Sequence, residues 1–124
     1  MSFWGPKPDE CDFAFDSIGA AIYKLKEQLM NDIKTGLEHP EQSMVALLCC
    51  LRLIGERFPK NLSVSFGRED YLFVANAFEE WLAKSGPRLP KKYREKIEAE
   101  ARAEFALFEE RILNRPSKFK RSGS

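Results

Sequence analysis

Hydrophobic positions recur at three- and four-residue steps along most of the chain, a period that predicts helices rather than strands. The densest run is Ser43 to Phe58. There Met44, Leu47, Leu48, Leu51, Ile54 and Phe58 form one stripe, and Val45, Cys49 and Leu53 widen it on the flanks. A helix apolar around so much of its girth belongs at the centre of a bundle, wrapped by others. Pro40 suits a first helical turn, Glu41 meets the positive end of the dipole, and Pro59 stops the helix, so the predicted central helix covers residues 40–58.

Ahead of it, Phe15, Ile18, Ile22, Leu25, Leu29 and Ile33 share one face, which predicts a first helix from Asp9 to Leu37 with Lys24, Glu27, Gln28 and Asn31 turned away. Asp9 can cap this helix, Asp12 completes a capping-box-like pattern, and Gly36 can take a left-handed turn at the far end. The short corner Glu38-His39-Pro40 then makes the first two helices antiparallel neighbours. After Pro59, Leu62, Val64 and Phe66 alternate with Ser63 and Ser65. Alternation reads as extended chain, and with no second strand to pair with, the segment is expected as a loop laid on the core.

A third helix is predicted from Arg68 to Lys84, with Tyr71, Val74, Ala75, Phe78 and Leu82 inward and Trp81 at the margin, ended by Gly86-Pro87. The fourth runs from Pro90 to Asn114 on the stripe Tyr93, Ile97, Ala101, Phe105, Phe108 and Ile112, and Glu98 stands four residues before Arg102, as an ion pair requires. The expected fold is all-α: a single-domain bundle of about four helices over residues 1–116, followed by a basic, low-complexity tail over 117–124 expected to be disordered.

Composition narrows the classes. A chain of 124 residues can bury one core without disulfides or metal. Its apolar run is interrupted before the roughly 20 residues a bilayer demands, and the N-terminus has neither the basic lead nor the apolar run of a signal peptide. A soluble, cytoplasmic protein with no membrane partner is expected. Three cysteines, two of them adjacent, make no disulfide framework. Cys49 and Cys50 are expected as buried reduced thiols inside the central helix, and Cys11 as the exposed one. A net charge of +1 gives no global field for nucleic acid.

The most distinctive text is Trp4-Gly5 followed by Glu10, Asp12, Ala14 and Asp16. This Trp-Gly, short spacer and Glu-x-Asp-x-Ala-x-Asp pattern resembles the opening of small bacterial proteins grouped as domain of unknown function family 4259. The resemblance covers about the first sixteen residues, with Cys11 where a small polar residue is usual, and it implies no activity and no catalytic residue. Physically, Asp9, Glu10, Asp12 and Asp16 place four carboxylates within eight residues. They can cap the helix, converge on a divalent cation, or accept the Trp4 indole N–H and pin the N-terminal arm.

Catalytic chemistry finds little support. His39 is the single histidine, and its place at a helix corner suits a capping or solvent role rather than a Ser-His-Asp or Cys-His arrangement. The cysteines lack zinc-ligand spacing and there is no glycine-rich phosphate loop, so no cofactor, metal site or catalytic residue is expected. Basic residues instead gather at the link between the third and fourth helices: Lys84, Arg88, Lys91, Lys92, Arg94 and Lys96, opposed by Glu95 and accompanied by Tyr93. Positive charge at a helix N-terminus opposes the dipole, which marks the cluster as a candidate binding surface.

The expected function is therefore binding to another protein, as an immunity, antitoxin or accessory protein of a bacterium or its phage. The alternative is a nucleic-acid-associated factor using residues 84–96 and the tail. A metal-dependent enzyme built on Asp12 and Asp16 ranks third.

Overall fold

Burial of the apolar stripes yields an all-α bundle. The computed structural model describes residues 4–8, 11–35 and 40–114, the last range with backbone alone for 40–43. Five α-helices and no strand occur among them: α1 (Asp12–Thr35), α2 (Pro40–Arg57), α3 (Pro59–Ser65), α4 (Arg68–Ser85) and α5 (Lys91–Phe108). A 3-10 turn, Gly86–Arg88, links α4 to α5, and α5 runs on into a π-helical turn, Glu109–Leu113, where the Asn114 N–H donates to the Glu109 carbonyl five residues back.

Helix α2 is central. It packs against every other α-helix, and Met44, Leu48 and Leu51 are buried in one cluster with Ile22 and Leu29 of α1, Leu62 of α3, Tyr71, Val74 and Phe78 of α4, and Ala101, Phe105 and Phe108 of α5. Gly55 permits this closeness, because a Cβ there would run into Leu62 and approach Ile112. Aromatic rings fill the α4–α5 side. Tyr71 stacks on Phe108 with centroids 5.3 Å apart, and Phe66 meets the same ring edge-on. The expected Glu98–Arg102 pair forms and is extended across the bundle, since Arg102 Nη2 also donates to Glu79 Oε1 at 2.9 Å.

Four expectations need correction. Residues 59–65 are a helix, not an extended loop. Pro59 starts it, Leu62 and Phe66 lie one turn apart on the buried side, and Val64 is 79 % exposed. Asn61, also buried, donates from Nδ2 to the Phe15 carbonyl at 2.9 Å and ties α3 to the start of α1.

The cysteine assignment is reversed. Cys11 is buried, Cys49 half-buried and Cys50 exposed, because α2 is covered on three sides rather than all round. Helix α1 also begins at Asp12, with Cys11 in the capping position: its sulfur accepts the Ala14 N–H at 3.4 Å and its carbonyl accepts the Phe15 N–H. The expected Asp9 cap, the Gly36 turn, the His39 corner and the tail 117–124 lie outside the described residues. Tyr93, expected on the inward stripe of the last helix, is exposed in the first turn of α5. No described helix is long and apolar enough to cross a membrane.

Candidate functional site

The two charge clusters occupy opposite ends of the bundle. The start of α1 packs beside α3 through Asn61, whereas the start of α4 lies beside the middle of α1, where Lys26 Nζ is 3.3 Å from Asp70 Oδ1, and meets the end of α5, where Arg68 Nη2 donates to Asn114 Oδ1 at 3.3 Å. The basic link joins the other ends of α4 and α5. An 18-residue α4 rising 1.5 Å per residue sets that link about 27 Å from the Arg68 end of the helix.

At the acidic end the arm is anchored as one reading of the sequence anticipated. The Trp4 indole N–H donates to Asp12 Oδ1 at 3.2 Å, and its ring lies 6.1 Å from that of Phe15. The opening Trp of the Trp-Gly…Asp text is therefore in contact with the first of its two aspartates, Asp12. Asp12 and Asp16 are exposed, while Asp9 and Glu10 lie outside the described residues. Trp4 itself remains 47 % exposed, and it is not alone: Phe13 is 70 % exposed and Tyr23 53 % exposed on the outward ridge of α1. Ten residues of helix separate Phe13 from Tyr23, about 15 Å. Ala20 is exposed between them, and Asp16 and Glu27 supply charge along the same ridge. The Tyr23 hydroxyl donates to Glu27, which holds the tyrosine pKa above its ordinary value.

This ridge was missed because periodicity assigns a helix an inward stripe and then treats the remainder as solvated. Phe13 and Tyr23 fall off the stripe in the sequence, and large aromatic residues off the stripe are the signal that finds them.

At the basic end, Lys84, Arg88, Lys91, Lys92 and Lys96 are exposed. Arg94 differs. Its Nη2 donates to the Pro87 carbonyl at 2.7 Å and the Leu89 carbonyl at 3.4 Å, so this side chain ties down the link rather than facing a partner. Tyr93 stands exposed among the lysines, with Lys92 Nζ 5.5 Å from its ring centroid.

A third group of polar residues was not legible in sequence. Arg52, within the most apolar helix, donates to both oxygens of Glu104 on α5, and Glu56 joins Arg52 to Arg111. The Cys49 thiol lies 3.7 Å from Arg52 Nη2, and burial, with Glu104 beside it, pushes the thiol pKa up. A nucleophilic cysteine needs the opposite shift, so the arrangement favours the Cys49 thiol over its thiolate. The groove between α4 and α5, about 260 Å³, is lined by Tyr71, Phe78 and Phe105 and bridged by Arg102 and Glu79. No protein-family model, curated protein or solved structure matches the chain.

Proposed function

We infer that this protein acts by binding another protein, blocking or adapting that partner without catalysis of its own. An immunity, antitoxin or accessory role is the class that suits it. One observation carries the reading: Trp4, Phe13 and Tyr23 are large aromatic side chains held outward on one helix and its docked arm. Aromatic residues displayed on a rigid helix lose little conformational freedom on binding, and they supply the anchors that dominate protein interfaces. The hydrogen bond from Trp4 to Asp12 pre-orients the arm and reduces the ordering cost further. Asp12, Asp16 and Glu27 around the aromatics favour a partner with a basic rim.

The test compares the wild-type chain with a Phe13→Ser/Tyr23→Ser double variant on a resin exposed to extract of the source cells. Both side chains are exposed, so circular dichroism and melting temperature should match. The reading requires a protein retained by the first resin and not by the second. Identical retention on both resins would sink it.

A second reading, nucleic-acid binding, is favoured by Tyr93 standing exposed among Lys91, Lys92 and Lys96. A stacking ring among phosphate-binding cations suits single strands. Retention of a mixed-sequence oligonucleotide, with a salt slope lowered by about two contacts in Lys91→Glu/Lys92→Glu, would support it.

A further inference from the structure

A cleft of about 250 Å³ opens where the end of α2 and the short α3 meet the start of α4 and the π-helical turn that finishes α5. Leu62 and Phe66, both buried, line its inner side, and Ile112 and Leu113, successive residues of the π-helical turn, line another. π-helical turns inside α-helices concentrate at functional sites. Among the described residues no acidic side chain lines the cleft, and the one charged group that does is Arg68.

Arg68 is exposed at the first position of α4 and reaches across to the end of α5. Among the described residues its partner is the neutral Asn114 carboxamide, with Nη2 donating to Oδ1 at 3.3 Å, and no carboxylate meets it. The amide holds the guanidinium over the cleft without cancelling its charge, which leaves other N–H donors of the planar fork for an anion. Of the two carboxylates in the first turn of α4, Asp70 is turned to the Gly67 N–H and to Lys26, and Glu69 does not line the cleft. An apolar pocket with a single oriented charge is the usual construction of a small-molecule site.

We propose that this cleft binds a small organic monocarboxylate, with its apolar group against Leu62, Phe66 and Ile112 and its carboxylate on the Arg68 guanidinium. A guanidinium fork and a carboxylate match in shape and sign, whereas an organic cation would be repelled and a neutral molecule would leave the charge unused. Volume sets the size of the guest. A cavity of about 150 Å³ already holds benzene, and drug-sized ligands need roughly 300 Å³ or more, so the cleft suits one ring or a short branched chain and excludes a nucleotide. The site shares no residue with the ridge of Trp4, Phe13 and Tyr23, so it does not depend on the partner-binding reading.

Amide NMR spectra of the isotopically labelled chain, titrated with phenylacetate, phenylacetamide and phenethylamine, test the proposal. Phenylacetate should shift the Gly55, Gly67 and Leu113 amides saturably. Phenylacetamide keeps the shape without the charge and should bind about tenfold more weakly, since a hydrogen bond to a charged group is lost. Phenethylamine should not compete. Arg68→Gln, at an exposed position, should bring phenylacetate down to the affinity of the amide and leave amide binding unchanged, which also shows that the cleft is intact. Absence of shifts at those amides at about 10 mM phenylacetate, equal binding of phenylacetate and phenylacetamide, or phenylacetate binding that survives Arg68→Gln would each overturn the proposal.

Discussion

Arg52 and Glu104 meet across the seam between α2 and α5, both buried, with Arg52 Nε 2.5 Å from Glu104 Oε2 and Nη2 3.1 Å from Oε1. The contact is bidentate, a geometry that only one register of the two helices allows. Glu104 pushes the guanidinium pKa further up, despite the burial that opposes it. Such pairs are asymmetric in their energetics: removing one partner strands a charge, whereas removing both need not harm stability.

Glu104→Ala should therefore cost about 3–5 kcal/mol in urea unfolding, because Arg52 is left buried with only the longer 3.4 Å contact to Glu56, which Arg111 shares. The double change Arg52→Met/Glu104→Leu should recover most of that loss. A single variant within about 1 kcal/mol of wild type would show that water reaches the guanidinium and that the pair is dispensable.

Two helical glycines should respond to alanine with opposite signs. At Gly55 a Cβ meets Leu62 and comes within 3.0 Å of Ile112, so Gly55→Ala should destabilise by about 1–3 kcal/mol through overpacking, despite its better helix propensity. At Gly19, inside α1, nothing lies within 4 Å, and Gly19→Ala should stabilise by about 0.5–1 kcal/mol. Denaturant midpoints moving in the same direction for both would contradict the close approach of α2 to α3.

The alkaline limb of stability should report on Tyr71. Its hydroxyl donates to the Phe105 carbonyl, and burial, helped by the Glu109 carboxylate, pushes its pKa up to about 12. The fold thus favours the neutral phenol. That contribution is complete below the ordinary tyrosine pKa of about 10 and is lost as pH rises through about 12. Tyr71→Phe keeps the stacking on Phe108 and should cost about 1 kcal/mol near pH 7 for the lost hydrogen bond. It should also lose less stability than wild type between those two pH values. Parallel curves for the two proteins would remove Tyr71 as the cause.

The basic end should divide in two. Lys91→Glu/Lys92→Glu alters exposed side chains and should leave stability within about 0.5 kcal/mol. Arg94→Met removes the donor held by the Pro87 and Leu89 carbonyls and should cost about 1 kcal/mol, with faster amide exchange across the 3-10 turn. Equal effects from the two variants would mean that Arg94 is as solvated as its neighbours.

Local pattern determined much of this protein. The stripes through α1, α2, α4 and α5, the prolines at residues 40 and 59, and the Glu98–Arg102 spacing each depend on neighbours within a turn or two, so the sequence alone specified an all-α bundle with α2 at its centre. Tertiary structure decided the rest. Leu62 and Phe66 satisfy a period of two and a period of four equally well, and a seven-residue helix is marginal in isolation. Burial of those two side chains against the core, with Asn61 bonded to α1, selects the helix. The uncovered side of α2 likewise depends on how many neighbours pack around it, which no stripe on α2 encodes. Arg52 and Glu104 are 52 residues apart. Each reads in sequence as a charge to be solvated, and only the packing of α5 on α2 turns them into a buried pair.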